Sequence, residues 1–337
     1  MKKIISLLMV SLMILSLCTL IACDKDNSNN EEPALKLGLG LVTTTSVSNA
    51  EGETNGQGQV TITAAAVLVD NDGKIVKAFI DCSDNTVGYT ADGKAVANSS
   101  FATKYEQGAN YGMTNPNYGG TATKEWFEQA NIFCGLVAGK TVTEVNALVA
   151  ENAKGTEEVI TAGCTIYVSD FAKAIEKAVA NATASNATKN DTVKLGVSTS
   201  QTTTDADGET DGSNKLETTF FAAAVDANGK IVAASSDSVE VTFTFDATGA
   251  STYDATKAVA SKKEKGANYG MTNPLYGGTA KKEWFEQAAA FDAACIGKTA
   301  AEVKDLMGPD YKGNADVQAA GCTIYVSGLV AAASKVK

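Results

Sequence analysis

Two runs rich in β-branched and small apolar residues, VTITAAAVLVD (60–70) and KIVKAFIDC (74–82), flank Asn71-Asp72-Gly73. That pattern predicts two strands joined by a tight hairpin, because Asn-Gly and Asp-Gly supply the positive φ such turns need. FFAAAVDANGKIVAA (220–234) repeats the arrangement, with Asn228-Gly229 at the turn. An upstream turn recurs as AEGETNG (50–56) and ADGETDG (206–212). It lacks full EF-hand spacing and reads as a solvated hairpin turn, not a calcium loop. Further along, the period changes. Trp126, Ala130, Phe133 and Val137 recur at helical spacing and predict a helix over 124–140. Gly139 and Gly297 are its expected stops, and Thr141-x-x-Glu144 and Thr299-x-x-Glu302 read as capping boxes of a following helix. Ser169 is the expected cap of a last helix over 170–182. Strands first and helices afterwards make an α+β unit, a small antiparallel sheet packed with helices.

The chain contains this unit twice. GANYGMTNP begins at Gly108 and Gly266, EWFEQA at Glu125 and Glu283, and AGCTIYVS at Ala162 and Ala320. Each pair lies 158 residues apart, as does KLG at Lys36 and Lys194. A gap-free match predicts two tandem homologous domains, 35–182 and 193–337, each long enough to fold alone, with a linker at 183–192. GKT at 139–141 is not a phosphate loop, since Cys134 and Asp292 stand where that motif needs glycine.

Lys2 and Lys3 precede an apolar run over 4–22, which gives way to DKDNSNNEEP. The pattern is that of a secretory signal. Leu20-Ile21-Ala22-Cys23 resembles the bacterial lipobox. The resemblance implies a signal peptide over 1–22, diacylation of Cys23 and a flexible tether over 23–34. It places the mature chain on the extracytoplasmic face of a bacterial cell membrane, held to lipid by its acyl anchor. Each buried methylene contributes about 0.8 kcal/mol, so two chains hold firmly where one does not.

Composition narrows the chemistry. The net charge is −11, and the chain has no His and no Arg. An acidic surface argues against nucleic acid, which demands a basic face. Lack of His removes Ser-His-Asp and Cys-His nucleophile systems and the usual zinc cages. The five cysteines beyond Cys23, namely Cys82, Cys134, Cys164, Cys295 and Cys322, contain no CxxC and form no disulfide framework. No metal site is expected.

AGCTIYVS admits two readings: a buried strand, CTIYV, or a small-residue approach to an accessible Thr hydroxyl before a helix. Ala162-Gly163-Cys164-Thr165 and Ala320-Gly321-Cys322-Thr323 resemble the motif of covalently flavinylated FMN-binding domains, with the nearest upstream acids, Glu158 and Asp316, displaced from that pattern. The resemblance implies FMN joined by phosphoester to Thr165 and Thr323, installed by a flavin transferase. Asp246–Ser251, DATGAS, matches the flavinylation pattern more closely by letters and makes Ser251 the alternative acceptor, with a helix expected after it. The GANYGMTNP loops offer Tyr111, Met113, Asn115, Tyr269, Met271 and Asn273 as flavin contacts or as loop packing, and Trp126 and Trp284 read as core.

Lipobox, tether and tandem domains together resemble the Gram-positive lipoproteins of flavin-based extracellular electron transfer. The resemblance implies an electron carrier rather than a substrate-specific enzyme, receiving electrons from a membrane donor and passing them to extracellular acceptors such as ferric iron. The alternatives are a solute-binding lipoprotein of a transporter and a passive surface interaction module.

Overall fold

The computed structural model describes residues 34–98 and 100–336. The signal peptide, Cys23 and the tether up to residue 33 lie outside the described residues. Three long strands, β1 (Lys36–Ser48), β2 (Gly56–Val69) and β3 (Ile75–Tyr89), form an antiparallel meander. Two short edge strands complete it, β4 (Ala95–Val96) beside β3 and β5 (Thr183–Ala184) beside β1. Between them run α1 (Lys104–Gln107), α2 (Trp126–Val137), α3 (Val142–Asn146), α4 (Glu157–Thr161) and α5 (Ser169–Ala180). The second half repeats this order with β6 (Thr192–Thr204), β7 (Gly212–Val225) and β8 (Ile231–Phe245), then α6 (Lys262–Lys265), α7 (Trp284–Cys295), α8 (Ala315–Ala319) and α9 (Ser327–Ala333). The fold is mixed α/β with two antiparallel sheets, compatible with the expected α+β class. Among the described residues no helix is long and apolar enough to cross a membrane.

Side chains on a strand point alternately to opposite faces, and here both faces are covered. In β2, Ala65, Val67 and Val69 face α2 and α5. Val60, Ile62, Ala64, Ala66 and Leu68 face the other sheet, where they meet Leu216, Phe220, Ala222 and Ala224 of β7. The layers run helices, sheet, sheet, helices. This explains why β2 reads as an almost unbroken apolar run rather than a clean alternation.

The packing differs from the expectation of two self-sufficient domains. The described residues form one compact unit, and the two sheets share one buried apolar cluster. The contacts across it are reciprocal. Ala50 N–H donates to the Gly249 carbonyl and Ala206 N–H to the Gly93 carbonyl, both at 2.8 Å. Lys177 pairs with Glu264 at 2.6 Å, and Lys335 with Glu106 at 2.7 Å. Each contact has a counterpart with the halves exchanged, the pattern of an isologous dimer within one chain. The expected linker is part of this structure: β5 pairs with β1, and Ala187 is fully buried beside Leu35.

Strand register also corrects the alignment. Gly40 lies opposite Ala65 and Gly196 opposite Phe221, so the sheets repeat at 221 − 65 = 156, not 158. The match has a two-residue gap, placed between β8 and Ser261, and the KLG pair at Lys36 and Lys194 is a coincidence of letters. The equivalent glycines are Gly40 and Gly196. A Cβ on Gly40 would lie 2.1 Å from the Ala174 carbonyl oxygen of α5, and one on Gly196 2.0 Å from that of Ala332 in α9. Glycine there lets the last helix of each half lie directly on its sheet.

Candidate functional site

The blocks that are identical in the two halves converge on the N-terminal turn of α2 and, equivalently, of α7. Glu125 is almost fully buried, and its carboxylate accepts from Met113 N–H, Thr114 N–H and the Thr114 hydroxyl. Glu283 holds Met271 and Thr272 in the same way. The Thr114 hydroxyl, with the backbone donors, holds the Glu125 carboxyl below the usual range, and Thr272 does so for Glu283. One turn on, the Gln129 amide donates to the Lys124 carbonyl at 2.9 Å. Its oxygen accepts Thr165 N–H at 2.7 Å and the Thr165 hydroxyl at 3.2 Å. Gln287 does the same for Thr323 at 2.8 and 3.0 Å. EWFEQA is therefore the bracket on which both other blocks hang.

AGCTIYVS is not a strand. It is a turn in which Cys164 and Val168 are buried while Thr165 and Tyr167 are exposed, and the second half matches it. Gly163 and Gly321 have φ of 104° and 101°, which favours glycine over any L side chain. A Cβ on Gly321 would sit 2.3 Å from Lys282 Nζ, and one on Gly163 2.9 Å from Lys124 Cε. A lysine immediately before EWFEQA thus lies over each glycine of the block that presents the Thr hydroxyl. Ser169 and Ser327 do not cap the last helices. They are first helical residues, after Val168 and Val326, and neither helix has a side-chain cap.

In the second half a cavity of about 400 Å³ opens beside this bracket. Its lining includes Tyr269 and Met271 of the GANYGMTNP loop, Trp284, and Ile324 and Tyr325. On the sheet side it meets Ser198 and Ser200 of β6 and Glu217 and Thr219 of β7. Lys262, 5% exposed, reaches into its wall and pairs with Glu217 at 2.5 Å and Glu240 at 3.7 Å. Its ammonium lies 5.2 Å from the Tyr269 ring centroid and 5.5 Å from that of Trp284. Burial works to lower its pKa, but the Glu217 carboxylate raises it, so the side chain stays charged. In the first half Lys104 pairs with Asp84 at 3.1 Å and lies over Tyr111 at 5.3 Å.

The expected loop contacts divide. Tyr111 and Met113 pack against the first half's helical core, and Tyr269 and Met271 against the second's, where they also line the cavity. Asn115 and Asn273 turn inward on their own loops, their side-chain oxygens accepting from Asn117 N–H and Leu275 N–H. Trp126 and Trp284 are buried, 5% and 6% exposed. Ser251 is elsewhere. It sits on the seam between the halves, where its N–H donates to Asn49 Oδ1 at 2.9 Å. Ala95 N–H makes the reciprocal bond to Asp205 at 2.9 Å, so Ser251 is equivalent to Ala95, which has no hydroxyl. Asp246 closes this hairpin by accepting from Thr248 and Ala250. The helix expected after Ser251 does not follow; the next helix is the single turn α6.

Reasoning from sequence missed Gln129, Gln287, Lys124, Lys282, Lys104, Lys262 and Glu217. The first four fall inside repeated blocks, and that repetition was the available signal. Cys164 and Cys322 are fully buried, and burial pushes both thiols up to about 11. They are packing groups. Among the described residues no group of three or more His, Cys, Asp or Glu is disposed to hold a metal. Comparison of the chain with family models, with curated proteins and with solved structures gives no match.

Proposed function

We propose that this chain is a membrane-anchored extracytoplasmic electron carrier, with FMN joined by phosphoester to Thr165 and Thr323. The observation that carries the reading is the bracket. Two blocks distant in sequence are tied together by a buried Gln, and what they present outward is one exposed Thr, with a lysine over the glycine two residues before it, in both halves. An exposed hydroxyl gives a transferase access. A neighbouring ammonium favours a phosphodiester's negative charge. Gly163 and Gly321 keep the approach open.

The electron chemistry belongs to the flavin; the protein attaches it, exposes it and sets its surroundings. Covalent attachment prevents loss of the cofactor outside the cell, where a dissociated flavin is diluted. A lipid on Cys23 and a short tether keep both flavins near a membrane donor at high effective concentration. The acceptors in this reading are extracellular, ferric iron among them.

Intact mass tests it. Co-expressed with a flavin transferase, the parent should gain two FMN masses, Thr165→Val or Thr323→Val one, and the double variant none. A folded double variant that still carries flavin on Ser251 would move the attachment site while keeping the carrier. A parent that stays colourless under those conditions removes the flavin reading and favours a solute-binding or interaction role.

A further inference from the structure

The two halves share their bracket but not what stands beside it. Four positions that line the cavity in the second half are Ser198, Ser200, Gly328 and Leu329. Strand register and helix alignment place Val42, Thr44, Asp170 and Phe171 at the equivalent positions of the first half. All four exchanges add bulk. Phe171 is 4% exposed and meets the Trp126 ring edge-on, with centroids 5.6 Å apart. Val42 packs into the same cluster. Asp170 also adds a carboxylate in the first turn of α5. In the second half Trp284 is buried to the same degree and also contributes to the cavity wall. Gly328 matters there, because a Cβ on it would lie 3.0 Å from the Thr219 hydroxyl oxygen.

The cavity's chemistry points to a flat heteroaromatic ligand. Its lining combines aromatic and apolar groups, Tyr269, Met271, Trp284, Ile324 and Leu329, with hydroxyls and the Glu217–Lys262 pair, whose ammonium lies over the Tyr269 and Trp284 rings. Its volume falls within the roughly 300–1,000 Å³ of small-molecule sites. Ile324 lies in the wall and is the residue after Thr323, so a group attached at Thr323 starts at the rim.

We propose that the two halves are functionally unequal: the second seats a tricyclic flavin ring in this cavity, while the first, with Val42, Asp170 and Phe171 there, carries its ring at the surface. The identity of the ligand rests on the flavin reading above; the inequality rests on the side chains. The seated ring stacks on aromatic surface and meets hydrogen-bonding groups at its edge. The unseated ring is open to solvent and to partners.

Lumiflavin tests the seat, because it has the ring but no phosphate and cannot be attached. The chain has two tryptophans, so Trp126→Phe leaves Trp284 as the sole reporter. The full chain carrying that change should show saturable quenching by lumiflavin. Gly328→Asp with Leu329→Phe, which installs the first half's residues, should weaken binding at least tenfold. Ser198→Val is the second variant, used if the double change unfolds the chain, and should weaken binding in the same direction. Absence of saturable quenching in the parent, or equal affinity in folded cavity-filled variants, overturns the seat. Covalent mass gain is read separately: FMN gained without lumiflavin binding removes the seat and keeps attachment, and the converse removes attachment and keeps the seat.

Discussion

Tyr89 and Phe245, equivalent residues of the two halves, stack on one another with ring centroids 4.5 Å apart and planes 6° from parallel. Both are fully buried, and the Tyr89 hydroxyl donates to the Ser48 carbonyl at 2.6 Å. The pseudo-two-fold axis of the chain passes between the two rings. Gly56 and Gly212 leave room for them, since a Cβ on either would fall 2.2 or 2.4 Å from the Tyr89 or Phe245 ring. Phe245→Ala should therefore cost about 3–5 kcal/mol, the range for emptying a buried aromatic site. Chemical denaturation, followed as one cooperative transition for both halves, measures it.

Cleavage of the chain at Asn186 should not release two independent domains. Each fragment would bare the sheet face bearing Leu39, Ile62 and Leu68, or that bearing Val197, Leu216 and Phe243. Size-exclusion chromatography should show the nicked halves co-eluting, and each half expressed alone should aggregate. Two monomeric fragments with separate sharp unfolding transitions would contradict the shared core.

Gly40→Ala and Gly196→Ala should each destabilise the chain by about 3 kcal/mol, because the new methyl meets helix backbone that has no free rotamer to yield. Gly73→Ala provides the contrast. Its φ is positive, at 79°, but a Cβ there meets nothing within 4 Å, so its cost should be limited to backbone strain of about 1–2 kcal/mol. Melting temperatures of the three variants give the order.

Gln129→Leu removes the acceptor that holds Thr165 while keeping the side chain's bulk. Thr165 is exposed and water replaces the lost partner, so stability should fall by only about 1 kcal/mol. Flavin incorporation at Thr165 should fall much further, with Thr323 unaffected, and Gln287→Leu should reverse the pattern. Peptide mass mapping after transferase treatment separates the two sites. Equal incorporation in both variants would mean that the Gln bracket does not position the hydroxyl.

Three buried carboxyls make stability fall as pH rises. Burial pushes Asp81 up to about 6 from 3.8, against hydrogen bonds from Thr103, Cys82 N–H and Tyr105 N–H. Burial likewise raises Asp237 and Asp292. A group that holds its proton more tightly when folded stabilises the fold below its unfolded pKa and loses that contribution as pH climbs through the folded one. For Asp81 the window is about pH 4 to 6. Asp292 has the least support: Oδ2 accepts from Ser236 N–H, while Oδ1 and the Ser236 hydroxyl oxygen are buried without partners. Asp292→Asn offers that hydroxyl an amide N–H and removes the charge. It should stabilise the chain by about 1–2 kcal/mol at pH 7 and less at pH 4, which thermal melts at the two values will read.

Local chemistry was legible in the sequence wherever neighbours decide the outcome. Asn71-Asp72-Gly73 and Asn228-Gly229 turn where they were expected, because positive φ is a property of the residue itself. Trp126, Ala130, Phe133 and Val137 form one buried helix face because their spacing allows no other shared face. Thr141 and Glu144 cap each other because both partners lie within one turn. The repeat of three whole blocks showed which parts of the halves belong together. What the chain alone left open is everything set by distant partners. AGCTIYVS alternates like a strand, yet it pairs through a single bridge, Tyr167 to Lys154, and Gln129, thirty-six residues before Thr165, holds that residue. Apolar residues on β1 and β2 demand burial but do not say against what; a helix layer or a second sheet satisfies the hydrophobic effect equally well. Only the tertiary structure shows that the partner is the chain's own repeat, and that a cavity opens beside Trp284 in the second half.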